Sequence, residues 1–310
     1  MNYINKIFLG LSVVATAFVC SCGDGTENLI PGEPFVNYYD VDPSDKSLSG
    51  NLRRNFYEST GVYLLYTDIL ASYTDSYGID RVETVDFGWS LDDANTTLRW
   101  EFDELADDEK EMVTDLVIKY FIPYINVEGG GLKPYSIMLV KNLLTNKEDA
   151  DYMEESDFIS CQRCFAANVT DWIDADSEDV KVLGKLLLRS LVDEKLNYNS
   201  PGLEPFFDIC ADCYEDYYIS RQIPEWIDNQ DIELIYEKGF MFYYPDLWDE
   251  PEYDSFPNKK NDLKSFMDVI FNQSEDEFME EWSEYLVIVQ KYEILKECIE
   301  NLGVDLNAVE

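Results

Sequence analysis

Near its start the chain carries a mainly apolar run, residues 7–19, with a single lysine, Lys6, ahead of it. The run is too short to cross a bilayer comfortably, since a spanning helix takes about 20 apolar residues. Its length, position and basic flank predict an export signal. Behind it stands Val19-Cys20-Ser21-Cys22, which fits a lipoprotein cleavage box with small residues before the second cysteine. A cut before Cys20 would leave bulky Phe18 and Val19 at the junction. Residues 1–21 are therefore expected to be removed and Cys22 to carry the lipid, anchoring the protein to the membrane. Residues 22–47, rich in Gly, Pro, Asp and Asn, predict a tether.

From Leu48 the apolar positions, through Leu52, Phe56 and Tyr57, take helical spacing. A short β-branched and aromatic run follows over residues 62–66, and residues 82–87 alternate as a second strand would. Leu105, Met112 and Leu116 predict a helix over residues 104–122, broken by Pro123. Residues 136–140, all but the first apolar, predict a buried strand. Beyond them the pattern is helical: residues 180–196, 203–219, 263–271, 275–282 and 284–302, the last closed by Gly303. Between these lies an aromatic stretch, residues 239–248, interrupted by Pro245. The expectation is an α+β fold, a small mixed sheet with helices followed by a mostly helical half. It forms a single domain over residues 48–310, with a subdomain break near residues 170–180.

Charge narrows the function. With 23 Lys+Arg against 64 Asp+Glu, the net charge is −41, and no basic groove is discernible. Nucleic acid is excluded as a partner. Asp174, Asp176 and Glu178 alternate as a calcium loop begins, but the glycine and closing glutamate are missing, so they read as an acidic helix start. The chain has no histidine, which removes Ser–His, Cys–His and His-ligated zinc mechanisms. A pair of carboxylates about 5–9 Å apart is still permitted, since the acids are many.

After Cys22 five cysteines remain, four of them in two CxxC pairs: Cys161 with Cys164, and Cys210 with Cys213. Two such pairs can close a four-thiolate zinc site. Export favours disulfides instead, and buried thiols packing as small apolar groups are a third reading. The six tryptophans, Trp89, Trp100, Trp172, Trp226, Trp248 and Trp282, are spread along the chain and read as core more readily than as a sugar platform.

The order of segments resembles the zinc-binding metallopeptidase lipoproteins that accompany TonB-dependent nutrient import in Gram-negative bacteria. The likeness runs through residues 56–66 (FYESTGVYLLY), 134–140 (PYSIMLV), Gly239-Phe240, and the tail from Lys291-Tyr292 to residues 303–306 (GVDL). It implies a zincin-like domain carrying HExxH on a central helix, where two imidazoles one turn apart hold zinc and the glutamate activates water. The corresponding helix here reads VLGKLLLRSLVDEKL. Around Leu187, Leu188 and Leu191, where the motif should fall, it offers leucines. A further ligand, expected near residues 261–265, is also missing. The resemblance thus implies a degenerate member without its zinc, hence without a cofactor. As such it is a non-catalytic binding or assembly component of an uptake system. Its expected partners are the membrane, a TonB-dependent transporter and that transporter's substrate-binding lipoprotein. Its expected place is the outer membrane, facing the cell surface or the periplasm. Two other functions compete: a hydrolase with a carboxylate site along residues 239–252, and a carbohydrate-binding surface lipoprotein.

Overall fold

The strand after Pro134 is the axis of the fold. In a computed structural model, which describes residues 36–88, 98–125, 131–146 and 152–308, it runs from Ser136 to Asn146. In chain order the first half comprises α1 (Leu48–Thr60), β1 (Tyr63–Leu65), β2 (Ile69–Thr74), β3 (Asp80–Thr84), β4 (Trp100–Asp103) and α2 (Asp107–Tyr120). Then come β5 (Ser136–Asn146), β6 (Met153–Glu155), β7 (Phe158–Cys161) and β8 (Cys164–Asn168). The longer helices that follow are α3 (Ser177–Lys195), α4 (Lys259–Asn272), α5 (Glu275–Trp282) and α6 (Leu286–Asn301). The cleavage site and Cys22 lie outside the described residues, as does Trp89. No helix among the described residues is long and apolar enough to cross a membrane.

The first half of β5 lies between β1 and β8, parallel to both, and its second half lies between β4 and β6, antiparallel to both. β7 closes the order as an edge strand beside β8. The change of partners falls at Asn142, whose φ of 49° is left-handed. Asparagine tolerates that region because its short amide bonds locally. Here its side chain donates to Asp103 Oδ2 at 2.7 Å, and its backbone N–H donates to Thr170 Oγ1 at 2.8 Å.

Both sheet faces are buried, which is why β5 begins as a continuous apolar run. Leu64, Ile137, Leu139, Phe165 and Ala167 face the main core with α2 and α3. Leu65, Met138, Val140, Cys164 and Ala166 face a second core closed by Tyr39, Val85 and Phe87. Helix starts follow their caps. Ser47 accepts from the Gly50 N–H at α1, and Asp176 Oδ1 accepts from the Glu178 and Asp179 N–H groups at α3. Asp176 thus serves as a helix start, as its sequence setting suggested.

Several sequence expectations change. Packed residues begin before Leu48, since Tyr39 is core. Residues 170–180 hold a short turn, Thr170–Trp172, and the start of α3 at Ser177. The helix breaks just before Pro123, as expected: it ends at Tyr120, Phe121 leaves helical geometry, and a separate turn, Ile122–Ile125, accepts the proline near its start, where no N–H is required. The strand expected over residues 82–87 is β3, ending at Thr84, and it pairs with β2. Residues 203–219 break into short helices at 204–208, 211–215 and from 219, where Asp216 and Ile223 leave helical geometry.

This broken segment, up to Phe256, builds a third core around Cys210, Cys213, Ile219, Trp226 and Phe240. One buried ion pair ties it to the helices. Lys291 Nζ on α6 donates to Asp262 Oδ2 on α4 at 2.6 Å and to the Gly239 carbonyl at 2.8 Å. Phe206, Phe240 and Phe266 surround the ammonium at 4.6–4.7 Å. Tyr214 donates to the same Asp262 oxygen. Burial pushes the Asp262 carboxyl up, while Lys291 and Tyr214 pull it back down.

Candidate functional site

α3 turns two stripes in two directions. Leu188 and Leu191 point into the main core together with Val180 and Val192. Leu183, Leu186, Ser190 and Asp193, spaced by three and four, line the wall of a 590 Å³ cleft. The opposite wall comes from Lys264 and Asp268 on α4. The rim comes from Glu155, Asp157 and Phe158 beside the β7 edge, with Asp171 and Trp172 from the turn after β8.

The segment aligned with the family motif divides between the two stripes. Leu187, Leu188 and Leu191 are buried core residues, with Leu187 only bordering the cleft. The pair at i and i+4 that faces the opening is Leu186 and Ser190. Leu186 is 43% exposed, and Ser190 Oγ turns back to donate to the Leu186 carbonyl at 3.0 Å. Neither is a metal ligand of the family type.

Two of the cleft's carboxylates are bridged. Arg189 Nε lies 3.5 Å from Asp193 Oδ2 on its own helix, and Arg189 Nη1 pairs with Asp268 on α4. Burial raises the Asp193 carboxyl above the usual range, Asp268 adds to the rise, and Arg189 and Lys264 oppose it. A guanidinium between two acids neutralises the pair that a carboxylate mechanism would need free. What remains is a leucine-edged floor of mixed charge beside a sheet edge. The sequence pattern gave no sign of the Asp193–Arg189–Asp268 bridge, because α4 is distant in the chain.

The stretch at residues 239–252 is mostly irregular backbone. Its acids brace a loop: Asp254 Oδ1 accepts from the Asp246 N–H, Asp254 Oδ2 accepts from Trp226 Nε1, and Asp246 accepts from the Trp248 N–H. The braced loop displays Leu247 and Trp248, 89% and 78% exposed.

The two CxxC pairs do not converge. Cys161 and Cys164 face each other across the β7–β8 turn in the second core, whereas Cys210 and Cys213 lie in the third. Among the described residues no three His, Cys, Asp or Glu side chains group to hold a metal. Burial raises all four thiols, Cys210 to about 11, and Cys210 Sγ donates to the Lys238 carbonyl. A raised thiol is a poorer nucleophile, because the thiolate is the reactive form. Among known protein families, curated proteins and solved structures, none matches this chain.

Proposed function

We propose that the protein is a lipid-anchored, non-catalytic binding or assembly component of a nutrient-uptake system at the outer membrane, with the α3–α4 cleft as its binding site. The observation that carries this reading is Arg189, which pairs with both Asp193 and Asp268 where Leu186 and Ser190 face the opening. A zincin-like reading of the fold rests on the family resemblance and on α3 lining the cleft beside an edge strand. Partners on this reading are a TonB-dependent transporter and its substrate-binding lipoprotein, held close by the lipid on Cys22.

The test is a photo-crosslinking residue placed at Leu186 in cells, with zinc content and peptide hydrolysis measured on the purified full chain. Adducts with the transporter or its lipoprotein, without hydrolysis, are expected. Stoichiometric zinc with peptide hydrolysis overturns the reading, and an absence of adducts removes the assembly role.

A further inference from the structure

A second cavity, of 420 Å³, opens where the end of α1 meets β1 and the segment before α1. That volume lies within the range of about 300–1,000 Å³ typical of small-ligand sites. It takes no part in the cleft, and its role does not depend on the cleft's.

Its walls are fixed from several sides. The Tyr57 and Tyr63 rings stack with centroids 4.4 Å apart, and Tyr63 donates to Asp40 Oδ1 at 2.7 Å. Arg53 donates to the Leu64 carbonyl at 2.8 Å and to the Tyr39 carbonyl at 3.1 Å. Arg54 is held by the Asp42 and Asp45 carbonyls. Tyr57, 42% exposed, and the exposed Glu58 stand at the opening. The site therefore combines tyrosine rings, two carboxylates and two guanidiniums in a preformed hollow.

That combination selects by charge. An anionic ligand meets Asp40, Glu58 and a chain of net charge −41, while a cationic one meets Arg53 and Arg54. A neutral polyhydroxylated ligand satisfies both sets, because each hydroxyl donates to a carboxylate and accepts from a cation. The C–H face of a sugar ring also suits the electron-rich face of a tyrosine. We propose that this cavity binds a neutral mono- or disaccharide, with Tyr57 as its stacking platform and Asp40 and Glu58 as hydroxyl acceptors. The surface for sugar is thus a tyrosine hollow, not a tryptophan array.

The test uses the full chain in a detergent without a sugar headgroup, titrated calorimetrically with glucose, galactose, mannose, xylose, maltose and cellobiose, and with glucuronate and glucosamine as charged controls. Saturable binding of at least one neutral sugar is expected, with the charged sugars about tenfold weaker or worse. Tyr57→Ala should weaken that sugar by about tenfold. Glu58→Gln, at an exposed position that leaves folding intact, should weaken it by a smaller factor. Failure of every neutral sugar to bind at about 10 mM overturns the proposal, since affinity would then fall below that of the weakest useful sites. Binding unchanged in both variants, or stronger for a charged control, also overturns it. None of these outcomes bears on adducts formed at Leu186.

Discussion

The sheet half and the segment from residue 203 to 258 are held by different physics. Around β5 and α3 the fold rests on many apolar side chains at regular spacing, each interchangeable in kind. The later segment has short helices, a small core and a few specific polar anchors: Lys291 with Asp262, Tyr214 and the Gly239 carbonyl, and Asp254 with Trp226. The CxxC pairs show the same contrast. One spans a hairpin turn because β-strands surround it, and the other follows a helical turn, although their spacing is identical. Spacing alone does not set the geometry of a pair of thiols.

The largest effect should come from cutting the anchor. Lys291→Met leaves the Asp262 carboxylate buried without its cation and should cost about 3–5 kcal/mol. Amide exchange should accelerate first in residues 203–258, before the sheet loosens. Adding Asp262→Leu should restore much of the loss, since an apolar pair of similar volume replaces the ions. Uniform loosening of both regions would show that they are not held separately.

Leu188→Ala on α3 should cost about 3 kcal/mol through lost burial and a cavity. Here the loss should appear across the sheet half, as a lower denaturant midpoint with little change in the exchange pattern of residues 203–258. A loss confined to that segment would reverse the comparison. Asp254→Ala removes the acceptor of a buried indole N–H and should cost about 1–3 kcal/mol. Protease nicking near Trp248 is the readout, and an unaltered loop would mean that Asp254 does not brace it.

The smallest effect concerns Asp193. Its carboxyl keeps its proton to higher pH in the folded chain than in the unfolded one, mainly through burial. Over the interval above the usual carboxylate value the folded state binds more protons, so this group's contribution to stability falls as pH rises through that interval. The side chain is half exposed, which keeps the effect small. In an NMR titration Arg189→Met should raise the Asp193 pKa further, because the guanidinium lowers it. An unchanged value would mean that Arg189 does not neutralise the cleft.

Most helices and the central strand were legible because periodicity records which face is buried. Leu48–Thr60, Asp107–Tyr120, Ser177–Lys195 and Leu286–Asn301 all follow from apolar spacing, and Asp176 and Gly303 mark ends through local bonding and a left-handed φ of 90°. β4, β6, β7 and β8 were not legible. They are short, with only three to five residues each, too few for alternation to declare itself. Neither cavity was legible, since each joins residues from separate elements.

The sequence by itself determined the absence of imidazole chemistry, the strong negative charge, the α+β layout and the helix that carries Leu187, Leu188 and Leu191. Only the tertiary structure decided which side of that helix meets solvent, that Arg189 bridges Asp193 to Asp268, and that the two cysteine pairs lie apart. The reason is that composition and periodicity are properties of a segment and its own neighbours. A site arises where the packing of distant segments brings their side chains within hydrogen-bonding reach, and no local pattern records that distance.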